Sequence, residues 1–200
     1  MTNLNAPFGL MPIGMNGAPW SGALRTYFVP ATDNTALFIG DPVIPAGSAD
    51  AYGVPTATRA TAAGGAYVGG VMVGVVNGPA AAGNATVPIK RENNQYRSAS
   101  VATYILVADD PNQLFVIQED SVGGALAADN VGQNADLIAG TGNTTTGLSG
   151  FQLDSNTADT TATLQLRVIE LYRQPGNDIG ANANWVVRIN LHSLWRALGI

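Results

Sequence analysis

The stretch that decides the fold is residues 103–120, which reads TYILVADDPNQLFVIQED. Its two apolar runs, residues 104–108 and 114–117, are rich in the β-branched and aromatic side chains that favour buried strands. The residues between them form a turn sequence, because Pro111 fixes φ at the second position and Asn112 tolerates the left-handed third position. We therefore predict a β-hairpin with two buried strands.

Short strand patterns recur along the rest of the chain, with almost no helical periodicity. Glycines interrupt the valine-rich run 67–76, which indicates a tightly coiled or bulged barrel strand with close backbone contacts. In residues 163–172 the apolar alternation slips by one position at Val168-Ile169, which predicts a second bulge. Residues 185–191 alternate as a half-buried strand, and Ser193 is a candidate cap for a short terminal helix. The predicted fold is all-β, a small β-barrel or sandwich of short strands with an extended N-terminal arm and long loops.

Residues 1–24 carry no ionisable side chain, and their dense proline and glycine argue against a helix. We predict an extended arm that docks onto its own barrel or onto a neighbouring subunit; a disordered leader is the alternative. Residues 25–200 are predicted to form a single β-rich domain, with two lobes that meet near residue 100 as an alternative arrangement. The candidate partner contacts of the arm are its large apolar side chains: Leu4, Phe8, Leu10, Met11, Ile13 and Trp20.

The charge balance argues against a nucleic-acid partner, since the net charge is −5 and the chain has a single lysine. The densest basic cluster, Lys90, Arg91 and Arg97, is expected to be a solvated loop. Without cysteine the chain has no disulfide and no thiolate metal site. No apolar run reaches the length of a membrane span, and the N-terminus lacks a signal-peptide pattern, so we expect a soluble protein made in a cytoplasm.

No catalytic constellation is visible. The single histidine, His192, falls on the polar face of the last predicted strand, and no Gly-x-Ser-x-Gly sequence accompanies it. The acid pairs at 109–110 and 119–120 are expected to be turn formers or solvated charges, and neither matches a calcium loop. We therefore predict no enzyme activity, no metal and no cofactor. The candidate loop contacts to a partner are Asp109, Asp110 and Asn112.

Several segments resemble capsid-associated proteins of tailed bacteriophages. They are residues 5–10 (NAPFGL), 16–20 (NGAPW), 40–43 (GDPV), 108–120 (ADDPNQLFVIQED) and 189–192 (INLH). The family is that of capsid decoration proteins, also called cement or head-stabilising proteins. The resemblance implies a β-rich protein, commonly a homotrimer, that sits on the capsid exterior at threefold or quasi-threefold positions and contacts the major capsid protein.

Three other functions stay open from the residues alone. The chain could be a receptor- or carbohydrate-binding β module with a shallow groove of exposed aromatic side chains. It could be a minor tail or head-tail component of a virion, because such proteins have similar composition. A β-fold hydrolase would need His192 beside an acid and a hydroxyl in one cleft.

Overall fold

The structure is a computed structural model that describes residues 3–15, 18–76 and 95–195. Strands make up its regular structure, with three short 3₁₀ turns at Ala128–Asn130, Ser155–Thr157 and Ser193–Trp195, so the predicted all-β class is confirmed. The strands are β1 Met11–Met15, β2 Ala18–Pro19, β3 Arg25–Val29, β4 Pro42–Ala49, β5 Pro55–Arg59, β6 Gly70–Val76, β7 Thr103–Ala108, β8 Gln113–Gln118, β9 Asn134–Ala135, β10 Leu137–Ile138, β11 Gln152–Leu153, β12 Leu166–Leu171 and β13 Asn184–Ile189.

Five strands close into a barrel in the order β3-β5-β4-β6-β7. Alternate side chains of each strand point inward, because successive residues of a strand face opposite sides. Together with Leu37 from the segment between β3 and β4, they form one apolar core: Tyr27, Val29, Val43, Ala57, Met72, Val75, Ile105 and Val107. Closure leaves the barrel without an unpaired edge.

The bulge predicted in the valine-rich run is present in β6, where the register with β7 shifts between Met72 and Gly74. Gly70 lies at the start of this strand with φ at +157°, and a Cβ there would come within 2.6 Å of the Ala108 carbonyl oxygen. The strand can approach β7 this closely only because the residue has no side chain.

A six-stranded antiparallel sheet packs beside the barrel, in the order β2-β1-β8-β13-β12-β9. One face of the sheet, here called the inner face, carries large buried side chains, among them Phe115, Trp185 and Val187. These side chains share a core with Val68 and Val71 of the barrel segment. The described residues therefore form two cores, one inside the barrel and one between the barrel and the sheet.

The predicted hairpin is wrong, although both of its strands exist and are buried. Strand β7 pairs with β3 and β6 in the barrel, whereas β8 pairs with β1 and β13 in the sheet. The turn itself forms, with the Gln113 amide donating to the Asp110 carbonyl at 3.0 Å. Local turn chemistry reverses the chain, but each apolar strand is paired on both sides by strands from elsewhere in the sequence. The turn therefore leads from one unit to the other.

The bulge predicted at Val168-Ile169 is confirmed, since the register of β12 against β13 shifts between Val168 and Glu170. The predicted terminal helix is a 3₁₀ turn at Ser193–Trp195 as far as the chain is described, and its remaining residues lie outside the described part.

Arg97 corrects the expectation of a solvated basic loop; Lys90 and Arg91 lie outside the described residues. The Arg97 side chain is 0% exposed, and its guanidinium donates to the carbonyl oxygens of four residues, which are Val101, Thr35, Pro30 and Asp33. Its backbone pairs with Leu37 as an isolated bridge. Burial lowers the pKa of Arg97, and the nearby Asp33 carboxylate opposes this shift. The residue is an internal clamp that holds the 30–35 loop against the barrel.

Candidate partner-binding site

The N-terminal segment is built into the sheet. Strand β1 pairs with β8. Two glutamines at the ends of β8 form hydrogen bonds with the backbone of the N-terminal segment. Gln113 donates to the Gly14 carbonyl at 2.6 Å. Gln118 donates to the Leu4 carbonyl at 2.8 Å and accepts from the Ala6 amide at 2.9 Å. Of the two docking places predicted for this segment, the structure shows contact with the chain's own body.

An apolar cleft of about 370 Å³ opens where this segment meets the barrel. The side chains that line it come from the N-terminal segment, from β6 and from two loops: Phe8, Leu10, Met11, Pro12, Trp20, Ile39, Met72, Val73 and Leu148. Such a cleft can take up an apolar side chain of another molecule, because the transfer of apolar surface out of water is favourable.

The six predicted arm contacts differ in their availability. Leu4 is 80% exposed and Met11 is 42% exposed, whereas Leu10 is 1% exposed and belongs to the chain's own core. Phe8 and Trp20 are half-buried in the cleft, and Ile13 is half-buried in β1. The Trp20 Nε1–H is enclosed and has no acceptor within the described ranges. Phe8, Met11 and Trp20 are therefore the members of this set that both line the cleft and keep accessible surface.

The opposite face of the six-stranded sheet, here called the outer face, is partly covered, since Val116 is 1% exposed and Val186 is 3% exposed. Cross-strand partners lie on the same side of a sheet, so the register places Met11 beside Val116 and Val116 beside Val186 on this face. The neighbouring row contains Leu114 and Arg188. Met11 therefore belongs to the outer face as well as to the rim of the cleft.

The 109–112 turn is held within the chain. The Asp109 carboxylate accepts from the Tyr27 hydroxyl at 2.9 Å and pairs with Arg25 Nε at 3.3 Å. Burial, together with the Asp109 charge and hydrogen bond, raises the pKa of Tyr27 to about 12. Asp110 accepts from the Asn112 amide at 2.7 Å, which closes the local Asx turn. Of the three predicted loop contacts, Asp109 is thus engaged with β3, while Asp110 and Asn112 shape the turn.

His192 is buried, which corrects its placement on a polar face. Its backbone bridges Val68, and its ring packs 6.1 Å from that of Trp195. The Nδ1 atom accepts from the Leu194 amide at 3.1 Å, and Nε2 has no partner in the part of the chain that the structure describes. Burial lowers the pKa of His192, against the opposing charges of Asp109 and Asp110. In a nucleophilic triad the Nδ1–H would donate to a carboxylate, so the observed geometry differs from that arrangement.

The second acid pair is also structural. Glu119 is buried, and its carboxylate accepts from the Leu126 amide at 2.9 Å and from Trp185 Nε1 at 3.2 Å. Burial raises the pKa of Glu119, although these hydrogen bonds oppose the shift. Asp120 accepts from Ser155 Oγ at 2.9 Å and fixes the neighbouring loop. Within the described ranges, no group of histidine and acidic side chains has the arrangement of a metal site.

A second, polar groove of about 660 Å³ runs between the 34–38 and 139–144 loops, with Arg59 at its wall. Its aromatic residue, Phe38, is buried and stacks on Tyr96 at 4.9 Å between ring centroids. An exposed aromatic platform, which the carbohydrate-binding hypothesis requires, is thus not formed by Phe38.

Comparison with protein families, with curated proteins and with solved structures finds no match to this chain. In the described part of the chain, no helix has the length and apolar character that a membrane crossing requires.

Four of the six predicted arm contacts line the cleft, whereas the cleft itself and its walls from the barrel and loops were not predicted. Met72 and Val73 are consecutive residues of a valine-rich strand, and no sequence signal distinguishes a cleft wall from a core there. The outer-face arginines do have a signal, because Arg167 and Arg188 alternate with apolar residues in the two clearest strand patterns.

Proposed function

We propose that this chain is a structural virion protein that binds the outside of an icosahedral phage capsid and bridges neighbouring major capsid subunits. The single observation that carries the proposal is the apolar cleft, which the N-terminal segment forms together with the barrel. A cleft of this kind accepts an apolar side chain from a neighbouring protein, which is the contact that a cement protein needs. The resemblance of residues 5–10, 16–20 and 108–120 to decoration proteins supports the same function.

The mechanism is apolar burial repeated over many copies. A large apolar side chain that becomes fully buried contributes ~1.5–3 kcal/mol, before the costs of ordering are subtracted. Contacts of this size are weak alone, but copies that join several subunits act together through multivalency. A homotrimer at a threefold position would bridge three subunits symmetrically. The shell gains stability because its subunits cannot separate without breaking these contacts.

The structure determines which experiment is informative. Deletion of residues 1–24 would remove β1, β2 and the buried Leu10, so it would damage the sheet as well as any docking surface. A substitution at the rim of the cleft avoids this, and Met11→Asp places a charge where the side chain is 42% exposed. Val131→Asp is the matched control, since Val131 is 45% exposed and lies far along the chain, outside the cleft lining.

The test is co-sedimentation with expanded empty shells assembled from the major capsid protein of the virion. We expect wild type and Val131→Asp to sediment with the shells, and Met11→Asp to bind at least about tenfold more weakly, with unchanged melting temperature. Equal binding by all three proteins would refute the role of the cleft. Failure of wild type to bind shells would refute the proposed function itself.

A minor tail or head-tail component is separated from a shell protein by stoichiometry. For a shell protein, quantitative mass spectrometry of purified virions should give a copy number on the scale of the number of capsid subunits. A copy number fixed at that of a single ring would place the chain in the tail and contradict the proposal.

A further inference from the structure

The outer face of the six-stranded sheet carries two arginines directly opposite each other. Arg167 of β12 pairs with Arg188 of β13, and Arg188 pairs in turn with Leu114 of β8. Like charges directly opposite on adjacent strands destabilise a sheet. The pair therefore lowers the stability of the sheet unless a negative charge outside this row of side chains neutralises it.

Neither arginine forms an ion pair with a described residue of the chain. Arg167 Nε donates to the amide oxygen of Asn134 at 3.1 Å, which is a neutral acceptor. The Arg188 guanidinium lies 5.5 Å from the centre of the Trp195 ring, and its Nε is enclosed without an acceptor among the described residues. Glu170 lies on the same face, in the row of Val186, but is exposed and makes no ion pair with either arginine.

The sequence has an excess of positive charge in its C-terminal part, which includes both arginines. Residues 163–200 contain four of the nine basic residues and two of the fourteen acidic residues, in a chain whose net charge is −5. The excess of acid therefore lies in the first 162 residues. Arg167 and Arg188 of the outer face belong to this locally basic part of the sequence, and a basic surface favours a negatively charged partner.

The side chains beside the arginines are of types that are enriched in protein interfaces. Trp195 is 52% exposed beside Arg188, and Leu114 and Met11 are apolar neighbours on the same face. Tryptophan and arginine are the residues most enriched where binding energy concentrates, and a guanidinium matches a carboxylate with two parallel hydrogen bonds. The face also continues through Met11 to the rim of the apolar cleft.

We propose that the outer face, at Arg167, Arg188 and Trp195, binds an acidic segment of a partner protein. This inference rests on the proposed function, in which that partner is the major capsid protein. A carboxylate of the segment pairs with the two guanidinium groups, and an adjacent apolar side chain packs on Trp195. The interaction removes the repulsion between the arginines, so it contributes more than one isolated surface ion pair.

The experiment measures binding to the same expanded shells at increasing concentrations of sodium chloride. The variants are Arg167→Glu and Arg188→Glu, and the matched control is Arg173→Glu, which makes the same charge change at an exposed residue just beyond β12. We expect wild type and the control to bind alike and to weaken as salt rises from about 0.05 M to about 0.5 M. Each outer-face variant should bind at least about tenfold more weakly, with a flatter dependence on salt.

Binding by Arg167→Glu within about twofold of the control would overturn the inference, and so would binding by wild type that does not change with salt. Arg167→Glu serves as the second variant if Arg188→Glu lowers the melting temperature, because Arg188 is partly enclosed. If wild type does not bind shells, the proposed function is wrong, and the inference is wrong as well because its partner is the major capsid protein. If Arg167→Glu or Arg188→Glu changes the oligomeric state of the protein in light scattering without shells, the outer face binds a second copy of this chain, and the inference is overturned.

Discussion

Replacement of Arg97 should be the most damaging single change outside the apolar cores. The guanidinium is fully buried, and it holds the carbonyl oxygens of residues 30, 33, 35 and 101. Arg97→Met keeps much of the side-chain volume but removes every donor. The loop that carries three of these acceptors then loses its attachment to the barrel.

The magnitude follows from the number of groups left without partners. A buried acceptor that loses its donor costs about 1–3 kcal/mol, and removal of one member of a buried ion pair costs about 3–5 kcal/mol. The Asp33 carboxylate lies 3.8 Å from the guanidinium and is partly exposed. Water can therefore replace part of the ion pair when the guanidinium is removed. We expect Arg97→Met to lower the free energy of unfolding by about 3–5 kcal/mol, a large fraction of the total for a domain. Arg97→Lys should recover little, because an ammonium cannot reproduce the planar fork.

The assay is urea unfolding followed by tryptophan fluorescence, with Arg173→Met as the control. Arg173 is exposed, so its replacement should change stability by less than about 0.5 kcal/mol. A loss below about 1 kcal/mol for Arg97→Met would show that the clamp contributes little and would refute the reasoning.

Three further predictions concern the backbone, the turn and the buried acid. Gly70→Ala should destabilise the barrel by about 1–3 kcal/mol, because a Cβ would meet the backbone of β7, whereas Gly74→Ala has open space and should stay near wild type in thermal melts. Tyr27→Phe should cost about 1 kcal/mol through the lost hydrogen bond to the 109–112 turn, and an unchanged urea midpoint would contradict this. The raised pKa of Glu119 means that its folded form holds a proton to higher pH than the unfolded chain does, so its contribution falls as pH rises above about 4.5. The stability of wild type relative to Glu119→Gln should therefore be greater at pH 4.5 than at pH 7, and the opposite trend in urea unfolding would disprove the assignment.

The sequence predicts local features of this fold well. Alternation of apolar residues locates β12 and β13, and the slip at Val168-Ile169 marks a real bulge, because a period of two fixes which face each side chain occupies. Pro30 directly follows Val29, the last residue of β3, and has no amide to donate to a further ladder hydrogen bond. These features depend on residues close together in the chain.

Features set by distant strands were not predictable in the same way. The 109–112 turn has the composition of a hairpin turn, yet β7 and β8 belong to different units, since pairing depends on strands such as β3 and β13. His192 continues an alternating pattern but is covered by the segment around Val68. Arg97 has the sequence context of a solvated loop, and its burial follows from the fold of residues 30–35 around it. Arm side chains that line the cleft were predicted as contacts, whereas Met72 and Val73 were not, because a distant strand brings them there.

The central claim is that the cleft and the outer face join this chain to the exterior of a capsid. The most direct measurement is a cryo-electron-microscopy reconstruction of expanded shells incubated with the purified protein. The proposal predicts added density on the outer surface, with the side that carries Met11, Trp20 and Arg188 facing the major capsid protein. Bare shells, or bound protein whose cleft and outer face point to solvent, would contradict it.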